Sequence, residues 1–294
     1  MALGLINFAA MFTDDQTTPV RLEILLDLLR KFPRGLSREG ISRLLQPEPL
    51  AGEKTNAARA TVKAALELEI VQEQGDTLKL VDKAKMKADT RTTILSAFDQ
   101  RVLTNWDTEP YFALFYAYYL GLGKAAQADR RDRNAWVTEF NKVVFGGVVQ
   151  SNPFNETKLT GLHRWFNYVG LGWYDPAEVF QPNPYDRLRR TLLPIFSKSK
   201  KLSCDEWMER LAEHCPELDG GHIFRRANPN LSDTRKCSLG LSHALVELDL
   251  DGVIRLDRPA DSAGWSIEDA EPPIESSADK QGTRISFVEL IAKP

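Results

Sequence analysis

The sequence predicts a mainly α fold in which two winged helix-turn-helix modules, each with a small β-wing, flank a helical middle domain. Three observations carry that prediction. The first 90 residues spell three short helices and then a strand–turn–strand. The same order echoes after residue 200. Between them runs a stretch of aromatic residues at helical spacing. The corresponding divisions are 1–90, 91–200 and 201–294.

Leu22, Leu25, Leu26 and Leu29 recur at i, i+3, i+4 and i+7, with Arg21, Glu23, Asp27 and Arg30 between them. That is the pattern of a helix with one buried face. Pro33 and Gly35 end it, and Ser37 caps a second helix carrying Ile41, Leu44 and Leu45. Pro47 and Pro49 break the chain before a third helix from near Asn56. Its inward residues are Ala58, Val62, Ala65 and Leu66, and its outward ones Thr55, Arg59, Thr61 and Lys63. Ile70 and Val71, a Gly75-Asp76 turn and the alternation from Leu78 to Val81 then read as a hairpin. In a winged helix the third helix is the groove reader and the hairpin lies beside it. Arg59 and Lys63 are a thin basic set next to Glu67 and Glu69, so protein docking and DNA contact both stay open for this module.

The middle region is helical and aromatic. Tyr111, Phe112, Phe115, Tyr116, Tyr118 and Tyr119 crowd one segment, and Leu159, Leu162, Trp165, Phe166 and Val169 share a later helix face. Such spacing favours core packing over a base-stacking platform, although Tyr and Trp also mark interfaces. Arg130, Arg131 and Arg133 are offset by Asp129 and Asp132, as in a solvated loop.

In the C-terminal module Ser203 to Glu206 spells a capping box before Trp207, Met208, Leu211 and Cys215. Pro216 ends that helix. A later one carries Cys237, Leu241, Ala244, Leu245 and Leu248, and an Asp251-Gly252 turn leads to a strand at Val253 to Leu256. Trp265 to Ile267 reads as its partner. Residues 268–282 form an acidic loop, after which Ile285, Phe287 and Val288 suggest a last strand completing the wing sheet.

The basic residues favour this second module for DNA. Arg225, Arg226, Arg235 and Lys236 precede or open its third helix, Ser238 and Ser242 fall along the face expected outward, and Arg255 and Arg258 decorate the wing. Upstream, Arg187, Arg189, Arg190, Lys198, Lys200 and Lys201 form a basic stretch with Asp186 as its single acid, which is also how a solvated charge run reads.

Composition restricts the function classes. The 294 residues are 43% hydrophobic and 27% charged, and the formal net charge of -3 gives no overall pull toward polyanions or membrane surfaces. Met1 to Phe12 lacks the basic start and cleavage site of a secretory signal, and Tyr111 to Leu122 is too short an apolar run to span a bilayer. The expected location is the cytoplasm. Three cysteines suit a reducing compartment. No phosphate-binding loop, nucleophile elbow or paired-histidine zinc motif occurs. Cys204, His214, Cys215, His222, Cys237 and His243 lack close ligand pairs, and each cysteine fits an apolar helix face. No cofactor or metal is expected, and the chain reads as one that binds rather than catalyses.

The segment His163-Arg164-Trp165-Phe166-Asn167-Tyr168-Val169-Gly170-Leu171-Gly172, set between the two modules in a chain of this length, resembles the DpdG family of bacterial genome-defence islands. That resemblance implies a non-catalytic DNA-binding or scaffold subunit of a system that installs a modified base in DNA and restricts unmodified DNA. It also implies a partner ATPase or helicase of the same system. A winged-helix adaptor that binds only proteins, and a DNA-binding transcription regulator, remain open from the residues alone.

Overall fold

A computed structural model describes residues 12–13, 16–47, 49, 56–82, 89–105, 109–123, 133–147, 152–177, 179–231, 235–257, 264–267 and 284–292. The acidic loop expected over 268–282 lies outside these. In chain order the first elements are α1 (Pro19–Lys31), β1 (Leu36–Ser37), α2 (Arg38–Leu45), α3 (Asn56–Glu67), β2 (Val71–Gln74) and β3 (Thr77–Leu80). Four helices follow: α4 (Thr90–Phe98, continued by a π-helical turn over Asp99–Thr104), α5 (Pro110–Leu122), α6 (Arg133–Phe145) and α7 (Glu156–Tyr168). Next come β4 (Gly172–Tyr174), β5 (Phe180–Pro182), α8 (Tyr185–Ile195), β6 (Lys201–Ser203), α9 (Cys204–His214), α10 (His222–Ala227) and α11 (Leu239–Leu250). The last strands are β7 (Ile254–Asp257), β8 (Trp265–Ser266), β9 (Arg284–Ile285) and β10 (Phe287–Leu290). The protein is mainly α with small antiparallel sheets.

The contacts divide the chain into two compact units, Met1–Phe112 with Val149–Tyr168, and Ala113–Val148 with Val169–Pro294. The segment 91–200 is shared between them.

In the first unit, Thr18 caps α1 and Pro19 occupies its first turn, where a missing N–H costs nothing. Leu22, Leu25, Leu26 and Leu29 are buried as their spacing predicts, against α2, α3, α4 and β3. Ser37 ends β1 and caps α2, its Oγ accepting from Gly40 N at 3.0 Å. The three strands order β1-β3-β2, with Leu78 of β3 paired to Leu36 on one side and Glu73 on the other. A second cluster joins Phe12, Phe98 and Trp165. The Trp165 ring stacks on Phe98 at 5.4 Å and meets Phe12 edge-on at 5.0 Å, and its Nε1 donates to Thr17 O at 3.1 Å. A buried indole keeps its donor satisfied in this way.

The second unit repeats the element order of the N-terminal module. α8, β6, α9, α11, β7 and β10 follow in the order of α1, β1, α2, α3, β2 and β3, with the short α10 inserted before α11 and β8 and β9 inserted between β7 and β10. The strands order β6-β10-β7, the counterpart of β1-β3-β2. Ser203 ends β6 and caps α9 in the capping box read from the sequence. One strand pairing differs from the sequence reading. β7 pairs with β10, in register Leu256↔Val288, and not with Trp265 to Ile267, whose strand β8 pairs with β9. The other side of Ser266 is already committed, its N–H to Arg235 O at 2.8 Å and its carbonyl to Cys237 N at 2.9 Å. Of the last strand expected from Ile285, Phe287 and Val288, the latter two complete the sheet in β10, while Ile285 lies in β9 and pairs with Trp265.

The surplus tyrosines of α5 are core rather than surface. Tyr116 and Tyr119 are buried, their hydroxyls donating to Leu171 O at 2.9 Å and Phe180 O at 3.1 Å. Phe115, Tyr118 and Tyr119 pack with Trp136 and Phe140 of α6. Gly170 takes φ +73, and a Cβ there would come within 2.4 Å of the Asp186 side chain. Only glycine suits both demands.

Candidate nucleic-acid interface

The two helices in third position present opposite surfaces. On α3, Ala57, Ala58, Thr61, Val62, Ala64 and Ala65 are buried, while Asn56, Arg59 and Lys63 are exposed. Those three lie at i, i+3 and i+7 and share one face. Arg59 and Lys63 make no ion pair among the described residues. Thr61, expected outward, is fully buried and donates its hydroxyl to Ala57 O at 2.7 Å. Its position four residues after Ala57 puts it on the inner face. Thr55 lies outside the described residues.

On α11 the one exposed residue is Leu250, at the C-terminal end, and His243, Val246, Glu247 and Asp249 are half-buried. Leu239, Gly240, Leu241, Ser242, Ala244, Leu245 and Leu248 are buried. A Cβ on Gly240 would lie 2.6 Å from the Leu120 side chain and 2.7 Å from Pro182 O, so the end of α5 and β5 press directly on the helix. Asn183 Nδ2 donates to Glu247 at 2.9 Å, and the Tyr185 hydroxyl donates to Asp251. Ser242, expected on an exposed face, is instead fully buried and donates to Ser238 O at 2.7 Å. The helix is apolar nearly all round, and such a helix belongs inside.

Four of the candidate residues in this module converge elsewhere. Arg225, Arg235, Lys236 and Ser238 line a cleft of about 1080 Å³ before the N-terminus of α11, together with Asp205 and Trp265. Ser238 is the α11 cap. Its N–H and hydroxyl both bond Asp219, at 2.6 and 2.8 Å. Burial pushes the Asp219 carboxyl up to about 6, against the lowering effect of those two bonds. Arg235 adopts φ +50, an uncommon conformation for a side-chain-bearing residue, and pairs with Asp205 at 2.8 Å. Trp265 Nε1 donates to the other Asp205 oxygen at 2.8 Å.

The remaining candidates scatter. Lys201 and Arg255 register on either side of Glu289 in β10, and ion-pair with Asp257 at 3.3 Å and with Glu289 at 3.6 Å respectively. Arg189 and Lys200 are exposed, Arg190 donates to Val169 O at 2.8 Å, and Arg226 is half-buried. Arg258 lies outside the described residues. Arg187, read as part of a basic stretch, is buried. It ion-pairs with the equally buried Glu217 at 2.9 Å, and donates to Thr191 Oγ1 at 2.6 Å and His214 O at 2.9 Å. Arginine's five donors suit such a fork of partners.

Cys204, Cys215 and Cys237 are all buried, and burial pushes the Cys204 thiol up to about 12. Among the described residues no group of three or more His, Cys, Asp and Glu side chains could hold a metal ion, and no helix is long and apolar enough to cross a membrane. Asn56, Asp205, Asp219 and Trp265 were missed by the sequence reading. A helical wheel of α3 points to Asn56, but nothing local marks the other three.

No curated protein and no solved structure matches the chain. The profile of the DpdG-like family, however, matches residues 9–262, a span that takes in the His163 to Gly172 segment, both third-position helices and the cleft residues other than Trp265, and the chain therefore belongs to the DpdG-like family.

Proposed function

We propose that the protein is a non-catalytic, cytoplasmic, DNA-contacting subunit of a multi-protein DNA-modification and defence system. Family membership supports the system, since the family resemblance implies that context. The shared order of helices and strands at the two ends, with matching three-stranded sheets, supports two winged helix-turn-helix modules. The observation that carries the DNA contact is the open face of α3, where Asn56, Arg59 and Lys63 stand together without an ion-pairing acid. A groove-reading helix needs such a polar, cationic face. The contact accordingly belongs to the N-terminal module, and the C-terminal module, with α11 enclosed, serves the assembly in another way.

Fluorescence anisotropy with a duplex at several salt concentrations tests this. Two phosphate contacts give a salt slope of about -1.8, which Arg59→Ala with Lys63→Ala removes. No duplex binding at low salt, or a slope unchanged in that variant, refutes the contact. A protein-only adaptor, partnering an ATPase or helicase of the system, is the second reading. It is favoured by Val20 and Ile24, which are 62% and 45% exposed and one turn apart on α1. Co-purification of such a partner that is lost with Val20→Ser and Ile24→Ser, from a protein without DNA affinity, would establish it instead.

A further inference from the structure

The cleft before α11 has three kinds of wall, and together they suit one class of ligand. The first is cationic. The charge of Arg235 is answered by Asp205, and Glu209 also borders the cleft, but Arg225 donates to the Gly220 carbonyl and keeps its charge at the edge, on the same lining as Lys236. Leu239 adds a first-turn backbone N–H of α11, which the helix itself leaves without an acceptor. The second wall is aromatic. Trp265 is oriented by its bond to Asp205, and Phe224 lines the same space. The third is an acceptor. Asn228 commits both amide hydrogens, to Ala117 O at 2.8 Å and Phe224 O at 3.0 Å, which leaves its carbonyl oxygen, packed beside Gly121 of the same lining, as its acceptor.

A phosphate requires the first wall, the face of a base the second, and an amine or ring N–H on the base edge the third. The volume of about 1080 Å³ lies just above the range of small-molecule sites, roughly 300 to 1,000 Å³. We propose that this cleft binds a nucleotide, its phosphate held by Arg225 and Lys236 and its base against Trp265, either free or as the end of a strand. The site lies in the second unit and does not depend on Arg59 and Lys63.

The test is calorimetric titration of the full chain with deoxyguanosine monophosphate, deoxycytidine monophosphate, deoxyguanosine, inorganic phosphate and a 5′-phosphorylated single-stranded oligonucleotide. The monophosphates are expected to bind about tenfold or more tighter than either the nucleoside or phosphate alone. Arg225→Ala with Lys236→Ala should weaken them by about tenfold or more without lowering the melting temperature, because both side chains are exposed. Trp265→Leu should weaken the monophosphates and leave inorganic phosphate unchanged. Binding of monophosphates alone identifies a free nucleotide. An oligonucleotide that binds, whether or not a monophosphate displaces it, identifies a strand end, provided the double variant abolishes it. No heat from any ligand at millimolar concentration, equal affinity for phosphate and nucleotide, or no effect of the double variant overturns the proposal. Each readout is independent of duplex binding through α3, so the two readings fail separately.

Discussion

The two ends of the chain run through the same elements in the same order, yet they expose opposite parts of themselves. In the N-terminal module α3 turns a polar face outward, and the ion pairs around it, Arg38 with Glu73 and Arg43 with Glu39, are at the surface. In the C-terminal module α11 is enclosed by α5, β5 and α8, and the ion pair of Arg187 with Glu217 is buried. The lesson is that topology alone does not assign a reading helix. What decides is whether further chain packs over it.

The largest expected effect concerns that buried pair. Arg187→Ala leaves the Glu217 carboxylate in the core without its partner, and should cost about 3–5 kcal/mol in denaturant unfolding. The same substitution at Arg38, whose ion pair is solvated, should cost under about 1 kcal/mol. Equal losses would break the contrast between a closed module and an open one.

Next comes pH. The Asp219 carboxyl sits at about 6 when folded, against 3.8 for the ordinary group. Between those values the folded chain holds a proton that the unfolded chain releases. The stability this confers is complete below 3.8 and is lost as pH rises through about 6. The cost of the ionised form above that is about 3 kcal/mol, at ~1.36 kcal/mol per unit. Asp219→Asn can still accept from the Ser238 N–H, so it should raise stability at pH 8 and make no difference near pH 4. A gain of equal size at both pH values would remove ionisation as the cause.

A smaller effect tests the cover on α11. Gly240→Ala drives a methyl group toward Leu120 and the Pro182 carbonyl, at an expected cost of about 1–3 kcal/mol. Arg59→Ala on the open α3 face should stay within about 0.5 kcal/mol of the parent protein.

Much of this frame is legible in the sequence, because local chemistry fixes it. The leucines of α1, the serine caps of α2 and α9, and the hairpin of β2 and β3 each follow from neighbours in the chain. What escapes is long-range. α8 is hidden because Arg187 and Thr191 occupy buried positions on its face and Pro194 interrupts its end, so a core helix reads as a basic run. The β7–β10 pairing spans an intervening segment that sequence periodicity cannot register. For the site, the apolar run Leu239 to Leu248 already argues against an exposed face on α11, and Ser242 falls within it. The cleft is different. Asp205, Asp219, Asn228 and Trp265 come from four separate segments, and no spacing joins them.

The smallest expected effect is the sharpest for function. Arg235 and Lys236 precede α11 just where a reading helix would meet a phosphate, and sequence alone makes them the leading duplex contacts. Yet the helix behind them is covered, and Arg235 is engaged by Asp205 within its own unit. Losing that exposed ion pair should cost no more than about 1 kcal/mol. Arg235→Ala with Lys236→Ala should therefore leave both the duplex affinity and its salt slope where they were, while Arg59→Ala with Lys63→Ala flattens the slope. If anisotropy shows the reverse order, the covered module is the one that meets DNA, and α11 must first come out from under α5.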